Sequence, residues 1–190
     1  MKNYDVVIVG LGPTGGTIAN LIALGGFSVL ILEREKSFYP LPRAVHFDDE
    51  VMRVFQTIGI TNDFLKYTII NKGTKFVNSK GKVILDWPRP KKVTENGWYP
   101  SYRFNQPDLE RQLRKKLKEY KRVQIKQNTE VKKIHNNKNY AKIFFKNIID
   151  KKTYEIKTKY IIGCDGANSI TRKQIGTKMD NLGFTQKWAV

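Results

Sequence analysis

The spacing of apolar residues in the first 32 positions predicts a β-strand, a helix and a second β-strand in succession. Apolar runs of strand length extend from Tyr4 to Val9 and from Phe27 to Leu32. The segment between them, residues 14–24, favours a helix. A strand, a helix and a strand in this order predict a βαβ unit, and therefore an α/β fold with a parallel sheet.

Two further helices are predicted where apolar residues recur at helical spacing. The first covers residues 51–58 and follows Asp48 and Asp49, which favour the positive end of a helix. The second is marked by Leu109, Leu113 and Leu117 on one face, with charged residues on the other and Pro107 in its first turn.

The remaining apolar segments are short and are separated by turns, which is typical of β-structure. Residues 74–104 consist of such pieces, among them 82–87. Four more strands are predicted after the second long helix, and the middle of this series reads as an antiparallel β-meander: 123–126, 130–135, 140–146 and 153–157.

Length and composition narrow the class of protein. The 190 residues suit one domain or part of a larger fold. The single cysteine, Cys164, excludes an intramolecular disulfide and suits a reducing compartment, so we expect a cytoplasmic protein. No charged residue lies between Val6 and Leu32, but glycines and a proline interrupt this span. We therefore expect neither a membrane span nor a signal peptide.

The formal net charge of +18 raises the question of a nucleic-acid partner. The excess is mostly lysine, is scattered along the chain and forms no clustered stripe. A compositional drift toward lysine, asparagine and isoleucine explains it equally well, and we expect no specific nucleic-acid binding. A zinc site is not expected either, because His46 lacks a partner at metal-ligand spacing and His135 lies in a predicted turn.

The first chemical signal is the glycine-rich stretch VVIVGLGPTGG, which follows the first strand and opens the first helix. Gly10 permits a tight turn, Gly12 leaves room for a pyrophosphate, and Gly15 lets the helix lie close to the sheet. Glu33 ends the second strand 18 residues after Gly15, where a carboxylate can accept both hydroxyls of an adenosine ribose. The pattern predicts a dinucleotide site but does not separate FAD from NAD.

Two other polar residues have alternative interpretations. Arg43 is either a cation that neutralises a diphosphate or a surface arginine that pairs with the acidic residues at 48–50, and spacing does not decide. Asp165 lies between two glycines in GCDGANS, directly after the apolar run 160–162. An aspartate in that position is most often a helix cap or a turn former.

Four motifs carry a resemblance to a known family. The glycine-rich turn with Glu33, PRAVHFDDEVMR, FNQPDLERQL and GCDGANSITR occur in this order along nearly the whole chain. The sequence resembles the single-component flavoprotein aromatic hydroxylases, the p-hydroxybenzoate hydroxylase-like family, and within it the 3-(3-hydroxyphenyl)propionate hydroxylase branch. The resemblance implies FAD rather than NAD as the bound cofactor.

The resemblance also implies a set of FAD-binding residues. Glu33 would hold the adenosine ribose, Arg43 the pyrophosphate, and Gln106 the flavin or its ribityl chain, although Gln106 also suits the start of a helix. The backbone around Val131 would touch adenine, and Asp165 would support the FAD site and NAD(P)H use. The full implied set is Gly10, Gly12, Pro13, Thr14, Gly15, Glu33, Arg34, Arg43, Gln106, Val131 and Asp165.

The family's reaction, carried over, uses NADH or NADPH to reduce the flavin, after which O₂ is used to hydroxylate a phenolic acid. The expected organisation is an FAD-binding Rossmann-like domain at 1–73 and 105–178, with parts of a substrate β-sheet at 74–104 and 179–190. Four aromatic residues of that second part suit either a phenyl pocket or, more often for strand residues, a core: Trp87, Trp98, Tyr99 and Tyr102.

The chain departs from the family in length. It ends about where the family begins the body of its substrate sheet, so we expect the N-terminal half of a hydroxylase, from a truncated or split gene. Two alternatives stay open at this point. One is an FAD- or nucleotide-binding module completed by a partner chain, and the other is a basic nucleic-acid-binding protein on a Rossmann scaffold.

Overall fold

The computed structural model describes residues 4–41 and 43–187. They form two compact units, one from the described parts of 1–39 and 113–190 and the other from those of 40–112. The elements are β1 (Tyr4–Val9), α1 (Pro13–Leu24), β2 (Val29–Leu32), β3 (His46–Phe47), α2 (Asp49–Ile58), α3 (Thr61–Phe64), a 3₁₀ turn (Leu65–Tyr67), β4 (Thr68–Ile70), β5 (Gly73–Val77), β6 (Val83–Pro88), β7 (Tyr102–Phe104), α4 (Gln106–Leu117), β8 (Val123–Lys126), β9 (Thr129–Asn136), β10 (Ala141–Asn147), β11 (Thr153–Gly163) and α5 (Ile170–Gln174).

The first unit is built on a six-stranded mixed sheet in the order β8-β2-β1-β11-β10-β9. The neighbours β8, β2, β1 and β11 run parallel, whereas β11, β10 and β9 form an antiparallel meander. The predicted α/β fold, with its βαβ opening, parallel sheet and β-meander, is therefore confirmed.

The strand β11 joins the two parts of this sheet. Its first half pairs with β10, and its second half pairs with β1. Thr158 lies where the pairings meet, and its hydroxyl donates to the Tyr4 carbonyl oxygen at 3.0 Å. The sequence predicted a strand that ends at residue 157, followed by a separate apolar run, and this prediction is wrong because one continuous strand serves both neighbours.

Both faces of the parallel part of the sheet are covered. Along β1, Val7 and Val9 pack in one buried cluster, whereas Val6 and Ile8 pack in the cluster on the other face, which also contains Ala19 of α1. Strands that are buried on both faces have continuous apolar sequences rather than alternating ones. This explains why β1 and β2 appear in the sequence as unbroken apolar runs.

The second unit contains a three-stranded antiparallel sheet, β3-β7-β4, and a separate two-stranded hairpin, β5-β6. Helix α2 has Asp48 as its N-cap, whose side chain accepts a hydrogen bond from the Val51 amide, and Gly59 in the left-handed conformation as its C-cap. One face of the small sheet meets α2 and α3 in an aromatic cluster: Phe47, Phe55, Phe64, Tyr102 and Phe104.

Two local predictions need correction. His135 lies on β9, as the predicted strand 130–135 indicated, and not in a turn; its ring makes an edge-to-face contact with Phe144 across the meander. A core position suits Tyr102, which is buried, but not Trp87, whose side chain is exposed on the β5-β6 hairpin. In the part of the chain that the structure describes, no helix is long and apolar enough to span a membrane.

Candidate functional site

Gly10 in the loop between β1 and α1 and Gly15 in the first turn of α1 are tightly packed, whereas Gly12 in the loop is open. A Cβ atom on Gly10, whose φ is 98°, would lie 2.4 Å from the Cys164 carbonyl oxygen. A Cβ on Gly15 would lie 2.0 Å from the Gly10 carbonyl oxygen. At Gly12, apart from the residue itself and its chain neighbours, no described atom lies within 4 Å of the Cβ position. Of these three glycines, Gly12 therefore leaves space for a ligand to approach the backbone.

The first turn of α1 presents main-chain N–H groups at this opening. Gly12 is the N-cap, Pro13 follows it, and no described side chain caps the helix. The first turn also lacks an acidic residue. Because the first N–H groups of a helix have no partner within the helix, this end suits an anion such as phosphate. Thr14 and Gly15, both in the implied site, belong to this turn.

Glu33 follows β2 and its carboxylate reaches the loop. Oε2 accepts a hydrogen bond from the Leu11 amide at 2.6 Å, and Oε1 accepts one from the Glu35 amide at 2.8 Å. A carboxylate offers about four acceptor positions, so both oxygens keep capacity for ribose hydroxyls. The structure thus places Glu33, the residue predicted to bind the ribose, beside the loop that is predicted to bind the phosphates.

Asp165 lies at the end of β11, next to the same loop. Its main-chain nitrogen would be 3.1 Å from a Cβ on Gly10, and the preceding Cys164 amide donates to the Val9 carbonyl at 2.7 Å. The first and last sequence motifs therefore meet in the fold, although about 150 residues separate them.

The Asp165 side chain organises the start of α5. Its two oxygens accept hydrogen bonds from the Ser169 hydroxyl at 2.6 Å and from the Thr171 amide at 3.0 Å. Burial opposes ionisation, but these hydrogen bonds outweigh it and hold the pKa of Asp165 below its usual value. Ser169 is the N-cap of α5, and Asp165 adds an acceptor for the amide of Thr171 in its first turn. A contribution of Asp165 to cofactor binding stays a prediction.

In the second unit, Gln106 holds the segment that contains Arg43. Its Oε1 accepts hydrogen bonds from the Ala44 amide at 2.9 Å and the Arg43 amide at 3.3 Å. Its Nε2 donates to Glu110 Oε1 at 3.0 Å, and both side chains are buried. The side chain of Gln106, which the resemblance assigned to the flavin, thus binds the backbone of Arg43, which it assigned to the pyrophosphate.

Two members of the implied set, Arg34 and Val131, lie at an ordinary surface position and an ordinary core position. Arg34 is exposed, and its guanidinium contacts Glu35 at 3.0 Å. The side chain of Val131 is buried in the sheet core, where the residue pairs with Phe145 of β10. Their predicted contacts with the cofactor are neither supported nor opposed by these positions.

The sequence analysis missed one residue of the loop's surroundings. Arg114 of α4 donates from Nη2 to the Leu11 carbonyl oxygen at 2.9 Å. In the sequence it is one of three consecutive cations, Arg114, Lys115 and Lys116. Nothing in this run distinguishes it, because its contact depends on where α4 docks against α1.

Comparison with known proteins identifies the family. Residues 3–190 match the family described as FAD binding domain, and the chain belongs to that family. It is 35% identical over its whole length to a probable NADH-specific resorcinol 4-hydroxylase of Rhodococcus jostii. Over 99% of its length it is 30% identical to a 3-(3-hydroxy-phenyl)propionate/3-hydroxycinnamic acid hydroxylase of Mycolicibacterium gilvum. The predicted resemblance to flavoprotein aromatic hydroxylases is confirmed.

Solved structures show the same fold. The p-nitrophenol 4-monooxygenase of Pseudomonas putida superposes with a TM-score of 0.85 at 23% identity, over 95% of this chain and 45% of that one. The flavin-dependent monooxygenase PieE, solved with FAD and substrate, gives a TM-score of 0.86 at 20% identity, over 94% of this chain and 33% of that one. The chain also spans only 36% and 32% of the two hydroxylases named above.

The residues present fit FAD. The open side of Gly12, the uncapped first turn of α1 and the Glu33 carboxylate lie together in the first unit. They offer N–H donors for a pyrophosphate and an acceptor for ribose hydroxyls, which are the two ends of an ADP group.

Proposed function

We propose that this chain is the FAD-binding part of a flavoprotein monooxygenase that hydroxylates a phenolic compound with NADH or NADPH and O₂. The observation that carries the proposal is the loop at Gly12, open to a ligand and flanked by a helix N-terminus and Glu33. Family membership and the names of the aromatic hydroxylases among the relatives support it.

In this proposal the residues of the first unit bind the ADP half of FAD. The main-chain N–H groups of Gly12, Thr14 and Gly15 donate to the pyrophosphate, and Glu33 accepts from the adenosine ribose. The carboxylate would also repel a 2′-phosphate, which suits FAD. Asp165 and its hydrogen bonds hold the turn behind the loop in place.

For the flavin side, the resemblance implies Gln106, and for the pyrophosphate it implies Arg43. Gln106 is buried and its amide is held by Glu110 and by two main-chain N–H groups, so its orientation is fixed before a ligand arrives. Arg43 is proposed to place its guanidinium on the pyrophosphate, as the resemblance implies. When bound, the flavin supplies the redox chemistry of the reaction; the protein's part is to bind it, orient it and exclude water.

The substrate proposal comes from the relatives. Those named above act, by their names, on resorcinol and on 3-(3-hydroxy-phenyl)propionate or 3-hydroxycinnamic acid. We propose a phenol or phenolic acid as substrate, and NADH or NADPH as reductant; the name of the resorcinol hydroxylase, NADH-specific, favours NADH.

We further propose that residues 74–104 supply β segments of the substrate domain of the whole enzyme, with the β5-β6 hairpin as part of its substrate-binding sheet. The β5-β6 hairpin exposes apolar side chains along both strands, among them Phe76, Ile84 and Trp87. Apolar strands of this kind need a further layer or strand to cover them. The cover would come from additional sequence of the same enzyme or from a partner chain.

The decisive experiment is a binding measurement on the 190-residue chain. Calorimetric titration and flavin fluorescence should show binding of FAD in preference to FMN, which lacks the adenosine and one phosphate. Glu33→Arg should weaken FAD binding most, because it replaces the ribose acceptor by a cation. Equal affinities for FMN and FAD, or unchanged FAD affinity in Glu33→Arg, would overturn the proposal.

A further inference from the structure

Leu11, the second residue of the glycine-rich loop, is held on three sides. Its side chain is buried in the core together with Ile8 and Ala19. Its amide donates to Glu33 Oε2 at 2.6 Å, and its carbonyl oxygen accepts from Arg114 Nη2 at 2.9 Å. Each polar group of this residue therefore has a charged partner.

The contact with Arg114 sets the direction of the next N–H group. The Leu11 carbonyl and the Gly12 amide belong to one planar trans peptide, so they point in opposite directions. A guanidinium that fixes the Leu11 oxygen therefore also fixes the Gly12 N–H. Gly12 is the position of the loop that is open to a ligand, and its N–H is a donor proposed for the pyrophosphate.

Arg114 is itself anchored by the packing of α4 on α1. Asn20 Nδ2 donates to the Leu113 carbonyl oxygen at 3.1 Å and to the Gly16 carbonyl oxygen at 2.8 Å. A Cβ atom on Gly16 would lie 3.2 Å from the Leu113 side chain, so the two helices are close at this point. The Arg114 guanidinium also lies over the Phe38 ring, 5.8 Å from its centre.

We propose that Arg114 is a positioning residue for the phosphate-binding loop. Its hydrogen bond to Leu11 aims the Gly12 N–H before the ligand binds, and its positive charge lies behind the loop, where it favours a diphosphate. The ligand class is a dinucleotide or nucleoside diphosphate, and FAD and ADP are the probes. This inference rests on the proposed FAD binding and adds a residue outside the sequence motifs to that site.

The test compares two arginines that each donate to a main-chain carbonyl in the first unit. Arg122 Nη1 donates to the Gly26 carbonyl oxygen at 2.6 Å, beyond the C-terminal end of α1, whereas Arg114 acts at the N-terminal end. We expect Arg114→Gln to lower the affinity for FAD and for ADP about tenfold or more, as loss of a charged hydrogen bond predicts. We expect Arg122→Gln to leave both affinities within about twofold of the unchanged protein.

Two further readouts separate positioning from general stability. In Arg114→Lys the charge stays but the guanidinium geometry is lost, so FAD affinity should lie between those of Arg114→Gln and the unchanged chain. The amide resonance of Gly12 should shift in both Arg114 variants without ligand and should not shift in Arg122→Gln. If Arg114→Gln fails to fold, Arg114→Lys carries the comparison with Arg122→Lys.

The outcomes are distinct. Unchanged FAD and ADP affinities in a folded Arg114 variant would overturn the inference, as would equal losses in the Arg114 and Arg122 variants. An unmoved Gly12 resonance would also overturn it. If the unchanged chain binds neither FAD nor ADP, the proposed function itself fails, and a shift of the Gly12 resonance in the Arg114 variants would still show that the arginine orients the loop.

Discussion

The six-stranded sheet of the first unit and the β5-β6 hairpin of the second differ in how far their apolar side chains are buried. In the sheet, Ile8 and Ile31 are fully buried, and both faces are covered. In the hairpin, every residue of β6 is exposed, and Ile84 has 72% of its surface accessible. Burial on both faces stabilises the first region within this chain, whereas the second region gains little from its apolar residues until another layer covers them.

This difference separates two kinds of function. The loop proposed to bind the nucleotide lies at the end of β1 and packs against the core of this unit, so residues of this unit set its geometry. The hairpin, which we propose to be part of a substrate sheet, lacks such a fixed setting. Binding of the adenosine of FAD should therefore depend on residues of the first unit, whereas substrate binding should need the cover of the hairpin.

The largest effect that tests this comparison is an isoleucine truncation in each region. Ile31→Ala should lower the free energy of unfolding by about 2–5 kcal/mol, because it leaves a cavity in a closed core. Ile84→Ala should change it by less than about 0.5 kcal/mol, because the side chain is already exposed. Urea unfolding of the 190-residue chain, followed by circular dichroism, measures both. Equal losses would show that the hairpin is already packed in solution.

A glycine substitution tests the closure of the loop. Gly15→Ala places a Cβ against the Gly10 carbonyl oxygen and should cost about 3 kcal/mol, with loss of FAD binding. Gly26→Ala is the control: its φ of 81° is strained for alanine, but apart from its chain neighbours no described atom lies within 4 Å of the Cβ position. It should cost about 1 kcal/mol and leave FAD binding unchanged.

If Gly15→Ala retains both stability and FAD affinity, the loop is more plastic than the contacts of Gly10 and Gly15 indicate. The contrast between a fixed nucleotide loop and an unfixed hairpin would then be wrong.

The sequence predicted most of the fold because the strongest signals are local. The bounds of β1 and β8 agree with the apolar runs, and the loop glycines occupy the positions that their spacing indicated. It did not predict β11 as one strand, because a single local pattern does not show that Thr158 pairs with β10 on one side and β1 on the other. It missed Arg114 for the same reason: its contact depends on the docking of α4.

Asp165 gives a smaller effect with a defined pH dependence. Asp165→Asn should cost about 1 kcal/mol at pH 7, since one amide oxygen cannot accept from both Ser169 and Thr171 as the carboxylate does. The pKa of Asp165 is lowered in the folded chain, so its contribution is present above the unfolded pKa of about 3.9 and is lost as the pH falls through the folded value.

The difference between Asp165→Asn and the unchanged chain should therefore narrow below about pH 4. Exposed Asp180 provides the control, because Asp180→Asn should leave stability unchanged across this range. Thermal unfolding of all three proteins should be followed between about pH 3 and pH 7, a range that includes the unfolded pKa of about 3.9. If the stability difference between Asp165→Asn and the unchanged chain grew as the pH fell, the ionised carboxylate would not be the form that stabilises the start of α5.

The smallest expected effect on stability is that of Arg34→Ala. Arg34 belongs to the first unit, but its side chain is exposed, like those of the β5-β6 hairpin. Its guanidinium contacts only the neighbouring Glu35 among the ion pairs that the described residues show, and such surface pairs contribute little. Arg34→Ala should therefore change the free energy of unfolding by less than about 0.5 kcal/mol.

If Arg34 contacts FAD, as the resemblance implies, the FAD affinity of Arg34→Ala should fall about threefold, because an exposed cation adds only a weak interaction with the ligand. Lys36→Ala, two positions away and also exposed, is the control and should leave the affinity unchanged. Calorimetric titration with FAD at low salt measures the effect, which should shrink as salt screens the charge. Equal FAD affinities in Arg34→Ala, Lys36→Ala and the unchanged chain would remove Arg34 from the proposed cofactor site and leave Glu33 as the residue after β2 that is proposed to bind the ribose.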